Sequence, residues 1–203
     1  SSFSGFYLPL MIVLWLLMLR GLGIELRHHV NSPLWRTCWD ALFAAGSIML
    51  AVFLGAALGN VVRGVPLDEH GYFFAPLWTS FTVQPEAGIL DWFSVMMGAL
   101  ALLTLASHGA NYLAMKSEGS VQHRSRRIAS RSNWGVLLFA LATLVAASSI
   151  RPEIWKNYAL HPWGAAFPLL GVLGLSGMIY YNNTRQDLRA FLSSATFVGA
   201  MLA

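Results

Sequence analysis

Residues 41–62 read ALFAAGSIMLAVFLGAALGNVV, and this stretch carries no charged side chain. A helix of about 20 apolar residues crosses roughly 30 Å of hydrocarbon, because its internal hydrogen bonds satisfy a backbone that finds no water there. The stretch therefore predicts a membrane-spanning helix. Four more charge-poor runs have the same character and cover residues 6–19, 92–115, 134–150 and 163–181, and a sixth run opens at residue 190.

These runs predict an all-α fold, a polytopic transmembrane helical bundle with five complete spans and part of a sixth. The composition excludes a soluble domain, because 56% of the residues are hydrophobic and only 11% are charged, whereas soluble domains carry roughly 25% charged residues. The net charge of +4 does not indicate nucleic-acid binding, because the basic residues lie at the ends of apolar runs. At that position they face phospholipid headgroups, so the predicted partner is membrane lipid and not nucleic acid.

The basic residues divide unevenly between the connections that alternate across the bilayer. Ten of the thirteen Lys and Arg residues fall in the connections after spans one, three and five. Short cytoplasmic connections are enriched in Lys and Arg, so this side is predicted to be cytoplasmic. The ten are Arg20, Arg27, Arg36, Lys116, Arg124, Arg126, Arg127, Arg131, Arg185 and Arg189, and the opposite side has Arg63, Arg151 and Lys156.

The whole chain, residues 1–203, is interpreted as a single transmembrane domain and as a fragment of a larger subunit, truncated at both ends. It begins SSFSGFYLPL, without an initiator Met or a basic leader segment, and it ends in AFLSSATFVGAMLA, inside an apolar run. Residues 63–90 are predicted to form an outer-face loop, and residues 116–132 a basic cytoplasmic loop.

Five local patterns occur in order along the chain, and together they resemble subunit II of the cytochrome bd-type quinol oxidases, cyanide-insensitive variants included. They are FSGFY at 3–7, RGLGIELRHHV at 20–30, WDALFAAGS at 39–47 leading into GAALGNVVRGVPLD at 55–68, HGANYLAMKSEG at 108–119 and AFLSSATF at 190–197.

The resemblance implies a larger helical bundle in the bacterial cytoplasmic (inner) membrane, paired with a haem-bearing subunit I. It implies that the complex oxidises quinol and reduces dioxygen to water, with haems b and d in subunit I. This chain would be a respiratory electron-transport subunit that is not catalytic alone, binds no cofactor directly and no metal, and adds at most a structural quinone. The alternative is a secondary transporter or a membrane scaffold protein.

The resemblance also implies a proton path at the basic end of span one. Family members have an acidic residue there with a basic residue four positions on, and Glu25 and His29 occupy those positions, with His28 beside them. Histidine changes charge between about pH 5 and 8, which suits a proton carrier. Arg20 and Arg27 flank Glu25 on the same side, and the alternative is an ordinary interfacial salt bridge.

Five polar or aromatic residues are predicted to be structural: Arg20, Arg27, Trp39, Asp40 and His108. Trp39 and Asp40 open span two, where Asp40 is expected to cap the helix or to pair with Arg36 or with a cation of subunit I. His108 is the only histidine inside a span. A haem held between helices would need a second histidine at matched depth, so we expect His108 to make a polar contact.

Gly55 and Gly59 form a small-xxx-small pair, which allows helices to approach closely in lipid. Helix packing is the predicted role, with an apolar passage for dioxygen or a slot for a quinone tail as alternatives. The single cysteine, Cys38, provides no disulfide and no cysteine-based metal cluster.

Overall fold

The computed structural model describes residues 5–65, 76–83 and 88–202. Within those ranges the regular secondary structure is helical, in seven α-helices. These are α1 (Tyr7–Leu26), α2 (Pro33–Arg63), α3 (Trp92–Lys116), α4 (Gly119–Ile150), α5 (Glu153–Leu160), α6 (Ala166–Asn183) and α7 (Asp187–Leu202). A short 3₁₀ helix, Pro162–Ala165, precedes α6.

Five helical segments are long and apolar enough to cross a membrane: α1, α2, α3, α4 and the continuous stretch Pro162–Asn183. The predicted all-α polytopic class with five spans is therefore confirmed, and the chain is a multi-pass membrane protein. The sixth apolar run lies in α7, which begins at Asp187, earlier than the sequence analysis placed it.

The segment 116–132, predicted as a basic loop, is helical from Gly119 onwards. Helix α4 has 32 residues, which at about 1.5 Å per residue makes it roughly 48 Å long and longer than the hydrocarbon core is thick. No proline interrupts residues 119–150, so the helix continues through its basic half. Consequently the arginines of α4 are held on a rigid helix.

The contacts divide the chain into two compact units, Ser1–Leu102 and Leu103–Ala203, where the sequence analysis predicts one transmembrane domain. We call them the first and the second unit and describe each by itself. Most of the predicted outer-face loop 63–90 lies outside the described residues. Its described parts are 63–65, 76–83 and 88–90.

In the first unit, small residues bring α2 against the first half of α3. A Cβ added at Gly55 would lie 2.8 Å from Gly98 Cα and 2.5 Å from Ala101 Cβ, and one at Gly59 would lie 2.9 Å from Ser94 Cα. Such distances leave no room for a side chain. The glycine pair singled out in the sequence therefore lies where two backbones touch, and not beside an open passage.

In the second unit, α6 packs on α7 in the same manner. A Cβ added at Gly174 would lie 2.8 Å from the backbone nitrogen of Phe197, and one at Gly177 would lie 2.6 Å from Ser193 Oγ. In lipid, no hydrophobic force drives helices together, because the lipid tails are as apolar as the helix surfaces. Helices therefore associate through such close packing. The small residues thus position both helix pairs.

The turn between α6 and α7 is a Schellman motif in which Arg185 takes the left-handed conformation, with φ of 57°. The backbone N–H of Gln186 donates to Tyr181 O at 2.9 Å, and that of Arg185 donates to Asn182 O at 3.3 Å. Glycine is the usual residue at this position, and a residue with a Cβ costs roughly 1–2 kcal/mol there. The chain thus has an arginine at a position where the turn favours glycine, and the backbone there is strained.

We expect Gly55→Ala to lower the free energy of unfolding of the full-length protein by about 1–3 kcal/mol, because the new methyl group overlaps the backbone of α3. Gly21→Ala is the matched control, since nothing lies within 4 Å of a Cβ at that position on α1. Thermal denaturation in detergent would compare the two. Equal midpoints for both variants would contradict close packing at Gly55.

Candidate functional site

Among the described residues of the first unit, the most buried charges are Arg63, at the end of α2, and Asp91, just before α3. Their side chains are 5% and 0% exposed, and they form an ion pair through Arg63 Nη1 and Asp91 Oδ2. Arg63 also donates to Gly88 O at 3.1 Å and to Asn60 Oδ1 at 2.9 Å. A buried charge is tolerated only when it is paired and hydrogen-bonded in this way.

Asp91 is also the N-cap of α3. Its Oδ1 accepts hydrogen bonds from the backbone N–H groups of Phe93 and Ser94, at 2.8 and 2.9 Å, and Ser94 Oγ accepts from the N–H of Asp91 at 2.9 Å. This reciprocal arrangement is a capping box. The carboxylate therefore satisfies two orphan amides at the helix start and one guanidinium at the same time.

Asn60 completes this cluster. Its Nδ2 donates to Ala56 O within α2 and to Ile89 O in the segment before α3, both at 2.8 Å. The sequence analysis missed the cluster because Arg63 was counted as an outer-face cation. The pattern Asp91-x-x-Ser94 directly before an apolar run was the signal that could have revealed it.

At the basic end of the first unit, the three proton-path candidates Glu25, His28 and His29 are exposed. Within the described residues, none of these side chains forms a hydrogen bond or an ion pair. Glu25 lies in the last turn of α1 and the two histidines follow directly after it. The structure thus leaves all three open to solvent and does not connect them to one another.

Asp40 lies eight residues into α2, which begins at Pro33, so it does not cap the helix. Its carboxylate pairs instead with Arg27, with Arg27 Nε at 2.6 Å from Oδ1. Arg36, the partner that the sequence suggested, donates to Asn31 Oδ1 at 2.7 Å. The expected cap is wrong because the helix starts a full two turns earlier than the apolar run.

The other two structural candidates of this region also contact neighbours across the α1–α2 connection. The guanidinium of Arg20 lies 5.2 Å from the centre of the Phe43 ring. The Trp39 ring meets Trp35 edge to face at 5.7 Å, and Trp35 Nε1 donates to Leu26 O at 2.7 Å. These contacts fix α1 against the beginning of α2.

In the second unit, His108 of α3 makes the polar contact that the sequence analysis expected. Its Nδ1 is 2.8 Å from Ser194 Oγ on α7. Its ring stacks on Phe191 with centroids 4.9 Å apart. The imidazole therefore links two helices that are 86 residues apart in sequence.

A second polar cluster lies beside His108. Ser107 donates to Asn133 Oδ1, which connects α3 with α4, and Asn133 Nδ2 lies 3.5 Å from Met178 O of α6. Asn111 Nδ2 reaches Ser107 Oγ at 3.5 Å. Asn133 and Asn111 are almost fully buried. The Asn133 amide bridges helices in lipid, whereas the Asn111 amide bonds within α3.

Across the described residues, no three His, Cys, Asp or Glu side chains converge on a common point where a metal ion could bind. Buried polar side chains such as Arg63, Asp91 and Asn133 are hydrogen-bonded across helix contacts, which suits a role in positioning helices. The exposed titratable groups are concentrated at the basic ends of the two units.

We expect Asp91→Asn to lower the free energy of unfolding by about 3–5 kcal/mol, because it removes the carboxylate from a buried ion pair while asparagine still caps the helix. Asp40→Asn is the matched control in an exposed pair and should cost less than about 1 kcal/mol. Denaturant titration of both full-length variants would measure the difference. If Asp91→Asn lowered the free energy of unfolding as little as the control does, the Arg63–Asp91 pair would not be a major source of stability.

Comparison with known proteins agrees with the sequence patterns. The family model described as "Cytochrome bd terminal oxidase subunit II" matches residues 1–203. A Haemophilus influenzae protein named "Probable cytochrome oxidase subunit 2" is 39% identical over 146 residues, which are 71% of this chain and 36% of that protein.

Two further relatives carry more specific names. "Cytochrome bd-I ubiquinol oxidase subunit 2" of Escherichia coli (strain K12) is 29% identical over 91% of this chain and 48% of its own length. "Cytochrome bd ubiquinol oxidase subunit 2" of Bacillus subtilis (strain 168) is 27% identical over 77% of this chain and 44% of its own length. The chain thus spans less than half the length of these curated relatives.

Proposed function

This chain belongs to the family of cytochrome bd terminal oxidase subunit II, and from that premise we propose that it acts as the non-haem subunit of a quinol oxidase. In the proposed complex, subunit I holds haems b and d, quinol is oxidised, and dioxygen is reduced to water. The observation that carries this proposal is the family match along all 203 residues. The printed names of two relatives, which describe ubiquinol oxidases, support it.

The internal contacts of the chain are consistent with a supporting role. In the described residues, buried polar side chains such as Asp91, Asn60 and Asn133 are used for helix capping and helix bridging. We infer that the chain stabilises the haem subunit, and that its basic side faces the cytoplasm of a bacterial inner membrane.

The test is to purify the full-length protein with the subunits that accompany it and to record its visible spectrum and its oxygen consumption with a quinol. We expect haem absorption in the complex and none in this subunit alone. A colourless complex that moves a solute across liposomes and consumes no oxygen would replace the oxidase with a transporter.

The proton path is a finer part of the proposal and concerns the exposed end of α1. Glu25 and His29 lie one helical turn apart in sequence at the basic end, with His28 between them and solvent around all three. A carboxylate without an internal partner is free to exchange protons with water, and histidine as a residue type is a common proton carrier. We propose Glu25 as the entry group and His29 as its relay.

Glu25→Gln should slow quinol-dependent oxygen consumption by at least about tenfold if the carboxylate carries the protons, since glutamine cannot be protonated. Glu118→Gln is the matched control, because Glu118 is also an exposed glutamate at a basic end, before α4. Haem content measured in both variants separates a proton defect from faulty assembly. Unchanged turnover in Glu25→Gln at normal haem content would eliminate the path but leave the oxidase function standing.

A structural quinone is the remaining part of the proposal. A recess of about 370 Å³ with aromatic walls opens beside the 3₁₀ helix of the second unit, and a quinone ring would stack there. Its walls are Tyr158, Trp163, Gly164, Phe167, Pro168 and Ala200. We expect Trp163→Ala to reduce the quinone extracted from the purified complex, whereas Trp155→Ala, outside the recess, should not. Equal quinone content in all three proteins would exclude this recess.

A further inference from the structure

A recess of about 430 Å³ lies at the basic end of the second unit, between the first half of α4 and the end of α6. Four arginines line it, together with histidine, serine and asparagine side chains, and no acidic residue is among its walls. The arginines are Arg126, Arg127, Arg131 and Arg185. Such a concentration of guanidinium groups favours an anion.

One of these arginines is already neutralised. Arg126 forms a two-pronged contact with Asp187 of α7, with Nε at 2.9 Å from Oδ1 and Nη2 at 2.6 Å from Oδ2. Within the described residues, Arg127, Arg131 and Arg185 have no carboxylate partner. The recess therefore keeps an excess of positive charge that the described part of the chain does not compensate.

A neutral donor adds to this charge. Asn182 lines the recess, and its Nδ2 is enclosed without an acceptor among the described residues. Arginine binds phosphate oxygens in a forked geometry, and a buried amide without an acceptor is costly. A phosphate group would supply acceptors to both kinds of donor.

The recess lies at headgroup depth. Arg131 precedes Trp134, where the apolar run of α4 begins, by three residues, and Asn182 directly follows Tyr180 and Tyr181 at the end of the apolar run of α6. Aromatic residues at such boundaries mark the headgroup level of a bilayer. Basic pockets between membrane helices at this level bind anionic headgroups.

We propose that this recess binds the phosphate of an anionic phospholipid headgroup. Three uncompensated arginines provide the charge, Asn182 provides an unsatisfied donor, and the position at the bilayer boundary admits a lipid whose acyl chains remain in the membrane. The left-handed Arg185 belongs to the same recess, so the strained turn between α6 and α7 holds one of the binding cations. This site is independent of the proposed quinol oxidation.

The test uses the full-length protein purified with its accompanying subunits, delipidated, and then mixed with dioleoylphosphatidylglycerol or dioleoylphosphatidylcholine. Native mass spectrometry would count the retained lipid. Each recess arginine should contribute roughly fivefold to retention of the anionic lipid. We therefore expect weaker retention in the double variant Arg127→Gln/Arg131→Gln and in Arg185→Gly, which also relieves the strained backbone and so should fold normally.

Arg124→Gln is the matched control, because Arg124 is exposed on the same helix but does not line the recess. Retention in this variant should equal that of the unmodified protein. Equal retention of the two lipids, or an equal loss in Arg124→Gln, would overturn the site. Displacement of the lipid by millimolar inorganic phosphate would show that the recess binds a free anion and would overturn the lipid assignment.

Discussion

The ion pair between Arg63 and Asp91 is the contact on which the first unit depends. A guanidinium and a carboxylate that are both almost completely buried can exist side by side only because each neutralises the other and neighbouring groups satisfy their remaining hydrogen bonds. The pair joins the end of α2 to the start of α3, and Asp91 at once caps the second of these helices. The pair thereby fixes the end of α2 next to the start of α3.

The glycines of α2 add close packing to the ion pair that joins α2 and α3. The ion pair joins the helix ends, and Gly55 and Gly59 then allow the backbones of α2 and α3 to touch in the turns next to that pair. Close packing of this kind provides the association energy that hydrophobic burial provides in water, because lipid is as apolar as the helix surfaces themselves. Charge pairing at the boundary and small residues in the interior thus act on the same helix pair.

The second unit uses neutral polar groups for the same purpose within the membrane and charged groups at its basic end. His108 with Ser194, and Ser107 with Asn133, connect helices without burying a net charge. Outside the apolar runs, Arg126 and Asp187 form a pair that joins α4 to α7. The remaining arginines of α4 are carried on a helix that continues beyond the hydrocarbon, which gives them a fixed position at the bilayer surface.

The sequence by itself determined the number of spans, the helical class and the family, because the length of an apolar run and the order of local patterns are properties of neighbouring residues. It also located the close approach at Gly55. Only the tertiary structure decided the polar partners: Asp40 with Arg27, Arg63 with Asp91, and His108 with Ser194 are 13, 28 and 86 residues apart. Side chains so far separated along the chain are brought together by the way helices cross, and crossing depends on packing between surfaces that no local pattern records.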